Sequence, residues 1–351
     1  MAPSADPAVA IRESVAVTRL DHVRAVRLRG PDARRALDRL CAGTLRLRDG
    51  QVQHVLLLDE EARCFADAYA LCDDEDYELL ADGPDQAALL EHIARHVPPG
   101  GDMEIEDRSA SHAVLGIDGP FAWELLSRLA GVEVIGLPYL TFFHAEEWTC
   151  ARAGRTGEYG YLLSVPLAHA EEVLARALEV GEPLDAARGT VESLDQCALE
   201  NFFFNVRREG REPVTPIELQ LQWRVAYAKD AVGLERLRRH RAAGVRSRLT
   251  CLVAEQVVGP GDVVRRDAAT VGRVVSAGWS AARGDCVALA LLDPAWAHSG
   301  IRGFAVDHGG ASVAARSVSP PTLNNRSLFV SPQLHSYATR SGIEFPPLAR
   351  P

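Results

Sequence analysis

The pattern that most restricts how this chain folds is a strand, a Gly-Pro turn and an amphipathic helix, met twice. In VRAVRLRGPDARRALDRL (23–40) an apolar-alternating run stops at Gly30-Pro31-Asp32, and a helical period begins near Ala33. AVLGIDGPFAWELLSRLAG (113–131) repeats the order around Gly119-Pro120. The repetition predicts two related α+β halves. Between them, 54–82 reads as strands joined by acidic turns at Asp59-Glu60-Glu61 and 73–76. A helix follows over 85–96, stopped by Pro98-Pro99-Gly100-Gly101. EYGYLLSVP (158–166) is a strand, and 169–181 is a helix with glycine at its end. Residues 1–14 read as a loose start.

The texture changes near Leu249. Residues 250–293 hold short β-rich runs separated by Gly, Pro and Asp, which predicts a small all-β unit. Ahead of it, 233–248 is a basic helix and connector whose arginine run reads as a solvated face. After Ser319 the chain turns irregular.

Bulk properties narrow the function. The formal net charge is -10, so the chain lacks the cationic excess needed to neutralise a duplex's phosphates. That argues against nucleic acid as the partner. The 7 cysteines are scattered and odd in number, with no C-x-x-C pair. This fits a reducing cytoplasm and no zinc or iron–sulfur ligand set. Nor do the 11 histidines fall in a metal-binding spacing, so no metal is expected. There is no signal-peptide pattern and no run of 18 apolar residues, so no membrane association is expected either. Only one of the 38 basic residues is a lysine, Lys229.

Four stretches, in order, resemble the T-protein (aminomethyltransferase) family of the glycine cleavage system. The first is GPDARRAL with LLDEEARCFADAYAL (57–71), similar to a family strand bearing an aspartate. The second is GRTGEYGYLLSVP (154–166), similar to Gly-Tyr-Thr-Gly-Glu-x-Gly. The third is LDQCALENFFF (194–204), similar to Arg-Asp-x-Leu-Arg-Leu-Glu, with VTPIELQLQWRV (214–225) close behind. The fourth is KDAVGLERL (229–237) followed by TVGRVVSAGWS (270–280). The register spans roughly residues 15–315.

The resemblance implies an α+β fold of three domains in a ring-like arrangement around a folate channel. Two interlocked α+β domains would occupy 1–240, about 1–50 with 110–185 and 51–109 with 186–240. A C-terminal β-barrel would occupy 241–318, and an irregular tail 319–351. The implied cofactor is tetrahydrofolate or a 5,10-bridged derivative. Asp67 matches the family's catalytic aspartate, with an electrostatic and acid–base role beside the labile carbon. Glu200 matches a glutamate that meets the pterin, its two oxygens suited to a pair of N–H donors. Lys229 would pair with the folate's carboxylate tail, and Trp223, in a preceding strand, would wall the pocket.

Three departures alter charge beside the one-carbon unit. Arg155 stands where the family has tyrosine, Asp82 where it has asparagine, and Ala198 where it has arginine. They count against a lipoyl-carrying protein as partner. They imply instead that a formimidoyl, methylene or similar unit moves between folate and an amine of a small molecule, in specialised metabolism. A genuine aminomethyltransferase and a folate-dependent demethylase are the enzymatic alternatives. A non-enzymatic iron–sulfur assembly factor fits less well, because 229–235 lacks the cysteine of that branch. The absence of a Gly-x-Gly-x-x-Gly fingerprint argues against a flavin domain.

Overall fold

A computed structural model describes residues 6–97, 101–145 and 148–350. Two sheets and a barrel organise the chain. The first sheet has six strands in the order Ala187–Arg188, Ala16–Arg19, His112–Asp118, Gly160–Pro166, Thr149–Ala151 and Phe142–His144. The second has five, in the order Val52–Leu58, Cys64–Asp73, Asp76–Asp82, Arg24–Arg29 and Glu104–Asp107. Six strands between Arg248 and Ser317 close into a barrel with its own apolar interior.

The strand's two-residue period explains how the sheets stack. Leu115, Ile117, Tyr161 and Leu163 point from the first sheet to the helices Ala122–Ala130 and Ala170–Val180. Ala66, Ala68, Ala70, Leu79 and Ala81 point from the second sheet to Ala33–Leu40 and Gln86–His96. The alternate positions, Val114 and Leu162 on one sheet and Tyr69, Leu71 and Leu80 on the other, meet in a shared cluster. The layers therefore run helix, sheet, sheet, helix. Both faces of each central strand are covered, which is why Cys64–Asp73 is buried almost throughout.

The Gly-Pro turns take the predicted form. At the second, Gly119 has φ +146°, and an added Cβ would lie 2.4 Å from the Ser14 carbonyl, so the turn requires glycine. The helix over 86–96 is capped by the Asp85 side chain, while its Pro-Pro-Gly stop lies outside the described residues.

Three expectations need correction. The strand Arg24–Arg29, grouped by the sequence reading with 110–185, pairs instead with Asp76–Asp82 and Glu104–Asp107. The chain thus leaves the first sheet near Leu20, not near residue 50. The N-terminus is not loose throughout. Pro7–Glu13 is a helix, capped by Asp6 and opened by proline, that buries Ile11 and Arg12. Trp223 lies in a short 3-10 turn, Gln222–Arg224, not in a strand.

After Ser319 the chain has no long regular element, yet it packs back. Val330 and Tyr337 enter the first unit's core, and Asn325 and Ser327 join the network around Arg12 and Glu158. All seven cysteines are free and buried. No helix among the described residues is long and apolar enough to cross a membrane.

Candidate active site

The period that stacks the sheets also aims acids between them. Asp67 and Asp82 share parity with Tyr69 and Leu80, and Asp118 shares parity with Val114. All three project toward the inter-sheet space. There a narrow cavity opens, about 70 Å³ in volume. Leu20, Leu80, Leu162, Leu194 and Phe204 give it apolar walls. His22, Asp82, Asp118, Arg155, Asp195 and Arg207 supply charge and polarity.

Burying carboxylates without partners is costly, and the chain answers with arginines. Asp67 and Asp82 face each other across adjacent strands, a repulsive pairing on its own. Arg155 bridges them, 3.0 Å from Asp67 Oδ2 and 3.5 Å from Asp82 Oδ2. The alternation continues both ways. Arg224 lies 2.6 Å from Asp67. Arg207 lies 2.9 Å from Asp82 and 2.6 Å from Asp195, and Arg208 is 3.3 Å from Asp195. A chain of alternating charge thus runs along the cavity floor.

Asp67 itself is fully buried and reaches the cavity only through Arg155. Burial alone would raise its pKa. Arg224, His54 and Arg155 outweigh that and hold it well below the usual carboxylate range. His54, 2.8 Å away, titrates below its ordinary value because burial outweighs the attraction of Asp67. Asp118 is the opposite case. Burial, opposed by only one hydrogen bond from Thr156 and by more distant arginines, pushes its pKa up to about 7.

The helix Val191–Glu200 explains where the remaining acids point. It starts with a reciprocal capping box between Thr190 and Ser193. Leu194, Asp195 and Ala198 face the cavity. Glu200 comes five residues after Asp195, which at 3.6 residues per turn places it about 140° round the helix. It therefore faces away. Its carboxylate takes two bonds from Arg12, at 2.7 and 3.2 Å, and one from the Ser280 hydroxyl at 2.7 Å.

A match to the model of the GCVT N-terminal domain covers residues 2–229, and a match to the glycine cleavage T-protein C-terminal barrel domain covers 247–323. The chain belongs to the glycine cleavage T-protein family. It is 28% identical over 326 residues to the aminomethyltransferase of Mycobacterium leprae, covering 89% of this chain and 86% of that one. It is 28% identical over 294 residues to the aminomethyltransferase of Rubrobacter xylanophilus, covering 81% and 78%. The crystal structure of the glycine cleavage system aminomethyltransferase T from Bartonella henselae superposes with a TM-score of 0.77, at 20% identity, over 90% of this chain and 88% of that one. Two α+β units and a closed C-terminal barrel are therefore the T-protein fold, as the resemblance implied.

Within that fold, the candidate residues divide into two groups. Asp67, Asp82 and Arg155 come together at the cavity floor. Glu200, Lys229 and Trp223 do not reach it. Glu200 is bound by Arg12 and Ser280. Lys229 Nζ donates to the Asp38 carbonyl, to the Asp38 carboxylate at 2.8 Å and to the Gly43 carbonyl at 2.8 Å, so it fastens the end of helix Ala33–Leu40. Trp223 is 76% exposed, beside two separate clefts of about 410 and 420 Å³. Asp67, held ionised between two guanidiniums, is placed for the electrostatic part of the role expected of it.

Sequence reasoning missed Asp118, Asp195, Arg207, Arg224, His22 and His54. Asp195 stood inside the quoted LDQCALE motif, and counting round the helix separates it from Glu200. Asp118 sat one residue before a Gly-Pro turn, at a strand position whose parity is legible once Leu115 and Ile117 are assigned to the core.

Proposed function

We propose that this T-protein family member is a tetrahydrofolate-dependent one-carbon transferase whose reaction takes place in the inter-sheet cavity. The observation that carries the reading is the joining of an apolar chamber to the floor Asp67–Arg155–Asp82. Leu20, Leu80, Leu162 and Phe204 suit a flat heterocycle. The carboxylate of Asp118, 5% exposed and without an ionic partner among the described residues, suits a polar edge. The residues present therefore fit a reduced pterin.

A reduced folate supplies a one-carbon unit bonded to nitrogen. The chain's own groups supply fixed charge. Asp67 stays ionised and holds the Arg155 guanidinium in place, and Arg155 in turn orients Asp82. Ions arranged before the reaction need not reorganise during it, which is how such an array lowers a barrier involving charge. The mostly apolar lining of the cavity strengthens that field by limiting water near the charges.

The finer reading is that the partner substrate is an amine of a small molecule and the unit formimidoyl, methylene or similar. Arg155 and Asp82 support it, since both place charge where the family has neutral side chains. A second reading, aminomethyl transfer itself with a lipoyl carrier protein, is favoured by the names of the relatives matched over most of their length. The test is to incubate the chain with 5,10-methylene- and 5,10-methenyl-tetrahydrofolate carrying a labelled carbon. Candidate small amines are added in one arm and an aminomethyl-lipoyl carrier with tetrahydrofolate in the other. Label moving only between carrier and folate selects the second reading. Absence of reduced-folate binding by calorimetry refutes both.

A further inference from the structure

The acids of the cavity are not alike in what they have left to offer. Asp82 meets two arginines, Asp195 meets two arginines and the Asn205 amide, and Asp67 meets two arginines and His54. Asp118 meets none of these cations within ion-pair distance. Its Oδ1 accepts one bond, from the Thr156 hydroxyl at 3.2 Å, and its Oδ2 accepts none among the described residues. It is nonetheless 5% exposed, and it lines the cavity. The open oxygen therefore keeps acceptor capacity that an N–H donor in the cavity can fill.

The surroundings keep that carboxylate reachable. Gly116, Gly154 and Gly160 crowd round it. A Cβ built on Gly154 or on Gly160 would come 3.1 Å from Asp118 Oδ1, and one on Gly116 would come 3.2 Å from Oδ2. Any larger residue at these positions would press on the carboxylate. Leu162, on the same face of the neighbouring strand, adds an apolar surface beside it.

Resting on the reading of the cavity as the folate site, we infer that Asp118 is its ligand-anchoring carboxylate. It accepts N–H donors from the bound molecule, the role the sequence reading gave to Glu200. The chemistry is that of paired or charged N–H donors, carried either by the aminopyrimidine edge of a reduced pterin or by the amine that exchanges the carbon. A carboxylate with one open oxygen and no cation nearby gains most from such a partner.

Charge around Asp118 sets its pH response. Arg12 on the first helix and Arg155 favour its ionised form from beyond contact, Glu158 opposes it, and Cys197 faces it from the helix Val191–Glu200. Across the cavity stand His22, Asp82, Asp195 and Arg207. With ionisation centred at about 7, anchoring weakens as pH falls below that point.

The test uses the full chain, with 5-formyltetrahydrofolate as a stable reduced folate, titrated by calorimetry at pH 6 and pH 8. Wild type should bind about tenfold more weakly at pH 6, releasing about one proton on binding there and almost none at pH 8. Asp118→Asn keeps the shape and the Thr156 contact. It should lose at least about tenfold in affinity at pH 8 and lose the pH dependence. If the folate affinity is unchanged while the KM for the amine rises by that factor, the anchored group is the amine. If both are unchanged and wild type releases no proton with either ligand, the inference fails while the folate reading stands. If wild type binds no reduced folate at all, both fail. Proton release is read on wild type, so the test survives a variant that does not fold.

Discussion

Replacing Asp118 by asparagine should make the protein more stable, and by a pH-dependent amount. A carboxyl that ordinarily loses its proton near 3.8 here holds it to about 7. The folded state therefore binds more protons than the unfolded state between those values. Stability must fall as pH rises through that window, the opposite sign to an ion-paired acid. At about 1.4 kcal/mol per pH unit, the deficit is about 2 kcal/mol at pH 5 and reaches about 4 kcal/mol by pH 8. Asparagine has the same shape, can accept from the Thr156 hydroxyl and does not ionise. Urea unfolding of both proteins at pH 5 and pH 8 is the assay. The variant's advantage should grow by about 2–3 kcal/mol between the two. A variant equal to or less stable than wild type at pH 8, or an advantage that shrinks with rising pH, would refute the claim that this carboxylate sits without an ionic partner in the cavity wall. A gain of stability joined to a loss of binding is the signature of a residue kept for function.

The remaining predictions probe the other charged groups. Arg12→Leu leaves Glu158 and Glu200 buried without their shared cation; it should cost about 3–5 kcal/mol in urea unfolding and release the tail beyond Thr322 to limited proteolysis. Arg155→Tyr restores the family's residue but unpairs Asp67 and Asp82; turnover should fall by roughly tenfold or more in steady-state assays, with the smaller change in folate affinity. Lys229→Met should lower stability by about 1–3 kcal/mol, because the carboxylate and two carbonyls it serves lose their donor, and should leave folate affinity unchanged by calorimetry. Trp223→Ala, at a 76% exposed position, should change unfolding free energy by less than about 0.5 kcal/mol.

What the sequence discloses is local. Gly30-Pro31 and Gly119-Pro120 announce their turns because glycine and proline restrict the backbone wherever they occur. The barrel is visible from its short alternating runs. Asp67, Asp82 and Arg155 were found through the resemblance, and the register of two neighbouring strands brings them together. The errors lie where a partner from elsewhere in the chain decides. The strand Arg24–Arg29 carries the same alternation whichever sheet it joins, and only its pairing with Asp76–Asp82 settles that. Glu200 and Asp195 differ by helical phase. Which of them faces the cavity depends on Arg12, far away in sequence and assigned to a loose start, because only its burial makes it the partner of Glu200. Lys229 looked like an anion receptor because it is the chain's one lysine. Its three donors go instead to a nearby helix end.

The central claim is that the reduced folate binds between the two sheets. A crystal soaked with 5-formyltetrahydrofolate tests it most directly. Ring density is expected in the chamber lined by Leu20, Leu80, Leu162 and Phe204, with the pterin or the adjoining amine site at Asp118 and the floor pair Arg155–Asp82 beneath it. Density at the Trp223 clefts or beside Glu200, with that chamber empty, would contradict it.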